Sequence, residues 1–314
     1  MSDNADQRDF WTDAAGPKWR RFQAALDHQM QPVLDGVLAR AGLRPGDAVL
    51  DIGCGTGAST VQAGDAVGAR GRVLGADISA TLLDLAKVRA AGRANIAFHL
   101  GDAATMAFDA RFDHLISRFG IMFFADPVSA FANMARALKP GGQLTFATWG
   151  QIANNPFFTL PAQVARASIG APPKTDPDQP GPFAFRDPDR VLAILTDAGL
   201  QNAACDVAQI ALTPQGTVAE MATLCLQIGP ADSALKHANA TPTQTAALHA
   251  ALTDAFTVFD TPQGLRVPAE INFFTARTFG QTTASRPARH TGAQRVVAAD
   301  EPANSAVDDP APGR

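Results

Sequence analysis

The chain has 314 residues, of which 46% are hydrophobic and 18% charged, and its formal net charge is −4. That length holds one large domain or a domain with additions, and the composition supplies a sizeable core. The acidic balance argues against general affinity for nucleic-acid backbones or anionic lipid, and no apolar run reaches the roughly 18 residues of a membrane span.

The opening MSDNADQRDF is polar and acidic, so it does not read as a signal peptide. The three cysteines (Cys54, Cys205, Cys225) lie far apart, with neither a disulfide framework nor metal-ligand spacing. A reducing cytoplasm is the simpler setting, and no metal site is expected. There is no tyrosine, so no phenol is available as an acid or base.

In chain order, Trp19, Phe22, Leu26, Met30, Val33, Val37 and Leu38 predict one amphipathic helix over 17–41, ended by Gly42 and Pro45. Strands are predicted at 48–52, 72–76, 96–100, 112–117 and 143–148. Helices are predicted between them at 56–67, 80–91 and 128–138. That alternation implies an α/β fold whose sheet is parallel and covered on both faces. Residues 150–186 are rich in proline and glycine, with a helical pattern near 160–168, and read as a cap inserted after the fifth strand. Then come a helix at 189–198, a strand at 203–212, helices at 218–228 and 243–256, and a last strand at 266–276. From 277 to 314 the apolar periodicity vanishes, and this tail is expected to be disordered.

The first strand runs into VLDIGCGTGAS. Gly53, Gly55 and Gly57 let the backbone bend tightly and approach a ligand, and the following helix points free N–H groups and a positive dipole end at the same place. By itself the loop also fits a dinucleotide fingerprint. Asp77 closes the second strand (GADIS), where a carboxylate accepts from two ribose hydroxyls. Nicotinamide and adenosyl cofactors share that ribose. Asp102, in LGDA, lies at the same edge and can accept from an adenine amino group.

Together VLDIGCGTG, GADIS, GDA, FDHLISR and LKPGG resemble the class I S-adenosylmethionine-dependent methyltransferases, in that family's order and spacing over 48–149. FWTDAAGPKWRRFQAALD, SRFGIMFFADP and PGPFAFRDPDRV are similar to a small-molecule subgroup related to the ubiquinone/menaquinone-type C-methyltransferases; there the resemblance spans residues 10 to about 228. It implies a Rossmann-like, seven-stranded, mostly parallel sheet, a helical lid over 1–45, a methyltransferase domain over 46–276 with the cap inside it, and S-adenosyl-L-methionine as cofactor. It also implies residue roles. Asp51 and the Gly53–Gly57 backbone line the methionine moiety, with Thr56 near its carboxylate. Asp77 takes the ribose, Ile78 packs on the adenine, and Asp102 and the Ala103 N–H read the adenine edge. The Ser117–Arg118 backbone lies beside the sulfonium.

The acceptor side is less legible. Trp11 and Trp19 either shield the sulfonium or pack on the sheet, and Gln23 is a weaker polar contact. The Arg118 guanidinium either holds an acidic acceptor or pairs with an acid such as Asp126. His28 is the other candidate for catalysis; His99 and His114 read as strand residues packed or at an edge. Trp149, Phe157, Phe158, Phe183 and Phe185 suit a flat or lipophilic small-molecule acceptor, or simply brace the cap. Two other readings stay open on the residues: a methyltransferase fold that binds cofactor without catalysis, and a nicotinamide-dependent oxidoreductase. Nucleic-acid methylation is disfavoured by the acidic balance and by SRFG where an (N/D)PP(Y/F) motif would stand.

Overall fold

The computed structural model describes residues 4–109 and 111–280. The disorder expected for the tail therefore lies, from residue 281 on, outside the described residues. Residues 277–280 are ordered: Arg277 ends the last strand, and Thr278 N–H donates to the Gly142 carbonyl.

The N-terminal segment differs from the single helix expected. It contains α1 (Ala5–Asp9), a π-helical turn (Phe10–Ala14), α2 (Gly16–Arg21), α3 (Gln23–Gln29) and α4 (Gln31–Ala41). The break at Met30 has a sequence cause. Pro32 cannot donate to the carbonyl a turn earlier and disfavours helical geometry at the residue before it. The break at Phe22, at φ −100° and ψ 14°, carries no proline or glycine signal.

Seven strands make one sheet: β1 (Ala48–Ile52), β2 (Arg72–Asp77), β3 (Ile96–Leu100), β4 (Phe112–Arg118), β5 (Leu138–Trp149), β6 (Gln201–Leu212) and β7 (Val267–Arg277). Their spatial order is β3-β2-β1-β4-β5-β7-β6. β1 to β5 run parallel, and β7 lies antiparallel between β5 and β6. β1 is buried along its whole length because a central parallel strand is covered on both sides. β5 starts earlier than expected, at Leu138. Phe112 pairs with Leu138 but His114 with Gln143, so residues 139–142 leave the ladder between them.

Helices α5 (Ala58–Val67), α6 (Ala80–Arg89) and α7 (Pro127–Ala137) lie close to the expected ranges and pack on β1–β3 and β5. Ser79 caps α6 and Asp126 caps α7 through side-chain oxygens. α8 (Pro156–Ile169) follows β5, and α9 (Pro188–Asp197) precedes β6. Between β6 and β7 stand α10 (Val218–Cys225), α11 (Pro230–Ala238) and α12 (Pro242–Phe256). α11 and α12 pack on α8. α11 was not expected, because GP at its start reads as a loop; proline at the first helical turn is in fact favourable. The core is aromatic near the sheet centre, with Phe146 stacked on Phe274 and Phe131 against Phe146 and Phe185. Burial of each such ring contributes about 1.5–3 kcal/mol.

Candidate active site

β1 and β4 are neighbours whose following helices leave toward opposite ends of the sheet, and at such a switch point the crevice opens beyond the strand ends. A cavity of about 490 Å³ lies there, bordered by the loops after β1, β2, β3, β4 and β5, by α2 and α3, and by α8 and α11. Gly53, Gly55 and Gly57 have φ of +63°, +55° and +84°, a region that disfavours any side chain. Gly53 and Cys54 N–H groups both donate to the Ala76 carbonyl, which fixes the loop against β2.

The three predicted carboxylates have different roles. Asp77 is buried, with Oδ2 accepting from Gly55 N–H at 2.7 Å and Oδ1 from Ser79 N–H at 2.8 Å. Burial raises its pKa, and those backbone donors oppose the rise. Each oxygen keeps lone pairs for a ligand, and the side chain lines the cavity. Asp102 accepts from Ala104 N–H at 2.9 Å, and the Asn4 amide donates to both its oxygens at 3.1 Å. Asn4 also accepts from Ala125 N–H, which straps the N-terminal segment across the loops after β3 and β4. Asp51 does not line the cavity. It is fully buried and accepts from the Ser59 and Thr60 hydroxyls at 2.7 and 2.6 Å, so it anchors the first turn of α5. Burial pushes its pKa up to about 6 against the pull of those hydroxyls.

Arg118 pairs with Asp27 on α3, at 3.2 Å, rather than with Asp126. Asp27 also accepts from Arg89 on α6 at 2.9 Å and from the Gln23 amide. Arg89 in turn donates to the Thr56 carbonyl at 2.7 Å and to its hydroxyl at 3.1 Å. Two guanidiniums share one carboxylate under the glycine loop, and Arg118 Nη1 is buried with no hydrogen-bond partner. Asp27 and Arg89 are the residues that sequence reasoning missed. Asp27 closes the FWTDAAGPKWRRFQAALD stretch but no role was read for it there, and Arg89 stands in no motif; their ion pair links α3 to α6.

The far side of the cavity is aromatic. Phe119 stacks on Trp149 with centroids 4.4 Å apart and planes 5° apart, and Trp149, Phe157 and Phe158 continue the wall. Phe119 sits at φ +63°, an uncommon conformation for a bulky residue, and so turns its ring onto Trp149. Trp11 meets Trp19 and Phe123 edge-on at 5.7 and 5.2 Å, and both tryptophans line the cavity.

Of the residues singled out in the sequence, Trp19, Gly53, Gly55, Thr56, Asp77, Ile78, Asp102, Ala103 and Arg118 meet on this cavity. Asp51, Gly57, Ser117 and His28 do not. Gly57 caps α5 and packs on Ala86, and Ser117 donates to the Ile52 carbonyl at 2.7 Å. His28 is exposed, because α3 turns Leu26 and Asp27 inward instead. His114 bonds Asp47 at 3.2 Å and is lowered in pKa by burial, and His99 is exposed on β3.

An adenosyl amino-acid sulfonium fits this donor set. The Asp77 and Asp102 carboxylates and the glycine loop line one cavity, and Arg118, whose Nη1 has no protein partner, lines it too. Residues 49–142 match a family model described as a methyltransferase domain. The demethylmenaquinone methyltransferase of Staphylococcus epidermidis is 37% identical to this chain over 109 residues, 34% of the chain and 45% of that relative. The Staphylococcus aureus protein of the same name is 38% identical over the same length. The chain thus spans less than half the length of the curated relatives it matches. A solved phosphoethanolamine N-methyltransferase of Haemonchus contortus, in complex with S-adenosyl-L-methionine, overlays 89% of this chain and 60% of its own with a TM-score of 0.54 at 19% identity; that likeness concerns the fold. The antiparallel β7 inserted between β5 and β6 departs from the 3-2-1-4-5-6 order of nicotinamide-binding folds.

Proposed function

We propose that this chain moves the methyl group of S-adenosyl-L-methionine to a small, lipophilic, ring-bearing acceptor. The observation that carries this is one continuous cavity, acid- and glycine-lined at one end and walled by Phe119, Trp149, Phe157 and Phe158 at the other. The demethylmenaquinone methyltransferases that the domain matches support an acceptor of that kind.

When bound, the cofactor supplies an electrophilic methyl group on a sulfonium. The chain's own residues then bind and orient. Gly53, Gly55 and Thr56 hold the amino-acid end with Arg118, Asp77 takes the ribose hydroxyls, Ile78 packs on the adenine, and Asp102 and Ala103 read its edge. The aromatic wall excludes water and presents ring faces to positive charge. Much of the acceleration then comes from alignment, which requires the reacting atoms within about 3–3.5 Å. Among the described residues no histidine lines the cavity, and burial holds the Cys54 thiol protonated. We therefore assign no general base. Residues 1–45 act in this reading as a lid, tied down through Asn4 and through Trp11, whose carbonyl accepts from Ser79. We place the protein in the cytoplasm, in keeping with its three free cysteines.

The test is incubation with methyl-labelled cofactor and a panel of phenols, quinol precursors and small acids. Label transfer to at least one acceptor is expected. Binding of S-adenosylhomocysteine with no transfer to any acceptor would favour a non-catalytic binder, and binding of NADH alone would end the methyltransferase reading. Asp77→Ala is expected to weaken S-adenosylhomocysteine binding by about 1–3 kcal/mol through lost charge-assisted bonds.

A further inference from the structure

The aromatic wall ends at a charged rim that methyl transfer itself does not use. Lys18 on α2 donates to both carboxylate oxygens of Asp232 on α11, at 2.7 Å each. Lys236, one turn further on, donates to Asp232 Oδ2 at 2.9 Å. All three border the cavity. Two ammoniums share one carboxylate, so the cluster keeps a net positive charge. Each ammonium has three N–H donors, and Asp232 occupies only part of them. The other acids on the cavity, Asp77 and Asp102, stand at the adenosine end. α11 packs on α8, whose first turn carries Phe157 and Phe158, while α2 packs on α6, so the cluster joins the aromatic wall to the N-terminal helices. Burial is the main cause that lowers the Lys18 pKa, against the pull of Asp232, and the same Asp232 raises that of Lys236.

We propose that Lys18 and Lys236, spaced by Asp232, form an oxyanion subsite, and that the acceptor is a ring compound carrying a carboxylate or phosphoryl group. Ammoniums are point charges and do not select between those two geometries, so the shared chemistry is the negative oxygen. Asp232 holds both lysines in place and leaves the cluster a residual positive charge that a single anionic group neutralises. The proposal rests on the methyl-transfer reading for its acceptor, but its test needs no turnover.

The experiment is calorimetric titration of the full chain with 2-naphthoate, its neutral methyl ester and 2-naphthyl phosphate, with and without saturating S-adenosylhomocysteine. At least one anion is expected to bind about tenfold tighter than the ester, and the tighter of the two identifies the group. Lys236 is 65% exposed in its side chain, so Lys236→Ala folds normally. That variant is expected to reduce the anion preference to about twofold while leaving ester and S-adenosylhomocysteine binding unchanged, and Lys236→Arg to restore it. Equal binding of ester and anions, a preference that survives in both Lys236→Ala and Lys18→Met, or no binding by any of the three probes would overturn the proposal. Loss of S-adenosylhomocysteine binding with the anion preference intact would instead remove the methyl-transfer reading and leave the subsite standing.

Discussion

Gly53 and Gly120 touch backbone to backbone. A Cβ on Gly53 would lie 2.4 Å from the Gly120 Cα, and one on Gly120 would lie 2.6 Å from the Gly53 Cα. The glycine loop after β1 and the turn after β4 can share the switch point only because neither carries a side chain there.

Gly120→Ala must therefore push the two strand ends apart. Overpacking of this kind costs about 1–3 kcal/mol of stability. The displaced loop is expected to lower S-adenosylhomocysteine affinity about tenfold, read by calorimetry alongside a thermal melt. Unchanged affinity in a folded variant would show that the loop does not hold the cofactor.

The Asn4 amide covers both oxygens of Asp102, the group proposed to read the adenine amine. A ligand that uses those oxygens must displace it. Asn4→Ala is expected to tighten S-adenosylhomocysteine binding by a few-fold, about 1 kcal/mol, the net value of a displaced hydrogen bond. Weaker binding would mean that Asn4 closes over the ligand rather than competing with it.

Asp51 holds its proton more tightly when folded than when unfolded, since burial pushes it up to about 6. Its contribution is thus most favourable below about pH 4, declines as pH rises to about 6, and is flat above that. At neutral pH the charged, buried carboxylate costs about 3 kcal/mol, taking about 1.4 kcal/mol per pKa unit. Asp51→Asn is expected to raise the melting temperature at pH 8, with a gain that shrinks toward pH 5. A gain independent of pH, or a loss at pH 8, would contradict this.

Asp27 neutralises Arg118 and Arg89 at once. Asp27→Ala leaves two guanidiniums facing each other. Because the Arg118 and Asp27 side chains are each 14% exposed, the cost is set below that of a fully buried pair, at about 1–3 kcal/mol. Melting at low and at 0.5 M salt checks it: the deficit should narrow with salt, as screened repulsion requires. A deficit insensitive to salt would point to lost packing instead.

Much of the parallel half of the fold was legible because its signals are local. β1 and β3 fall on their predicted ranges, the first buried at the sheet centre and the second half-exposed at its edge, since each is a short, mostly apolar stretch bounded by turn residues. The glycine loop, Asp77 and Asp102 were legible for the same reason: each is fixed by its distance from the end of a strand. The N-terminal helices, α11 and the early start of β5 were not. A helical break without proline and a strand carrying Pro140 and Gly141 contradict local propensity, and packing overrides them, whereas the Gly-Pro that opens α11 suits a helix start as well as a turn.

The sequence by itself determined where a phosphate- or carboxylate-seeking loop turns and which two acids flank it, because those positions depend only on neighbours along the chain. The tertiary structure alone decided that Asp51 anchors a helix instead of facing the cavity, that Arg118 meets Asp27, and that Lys18 reaches Asp232. Those residues lie as far apart as 214 positions in the chain, and only the packing of the helices around the strand ends, driven by apolar burial that is indifferent to sequence distance, brings their charges within bonding range.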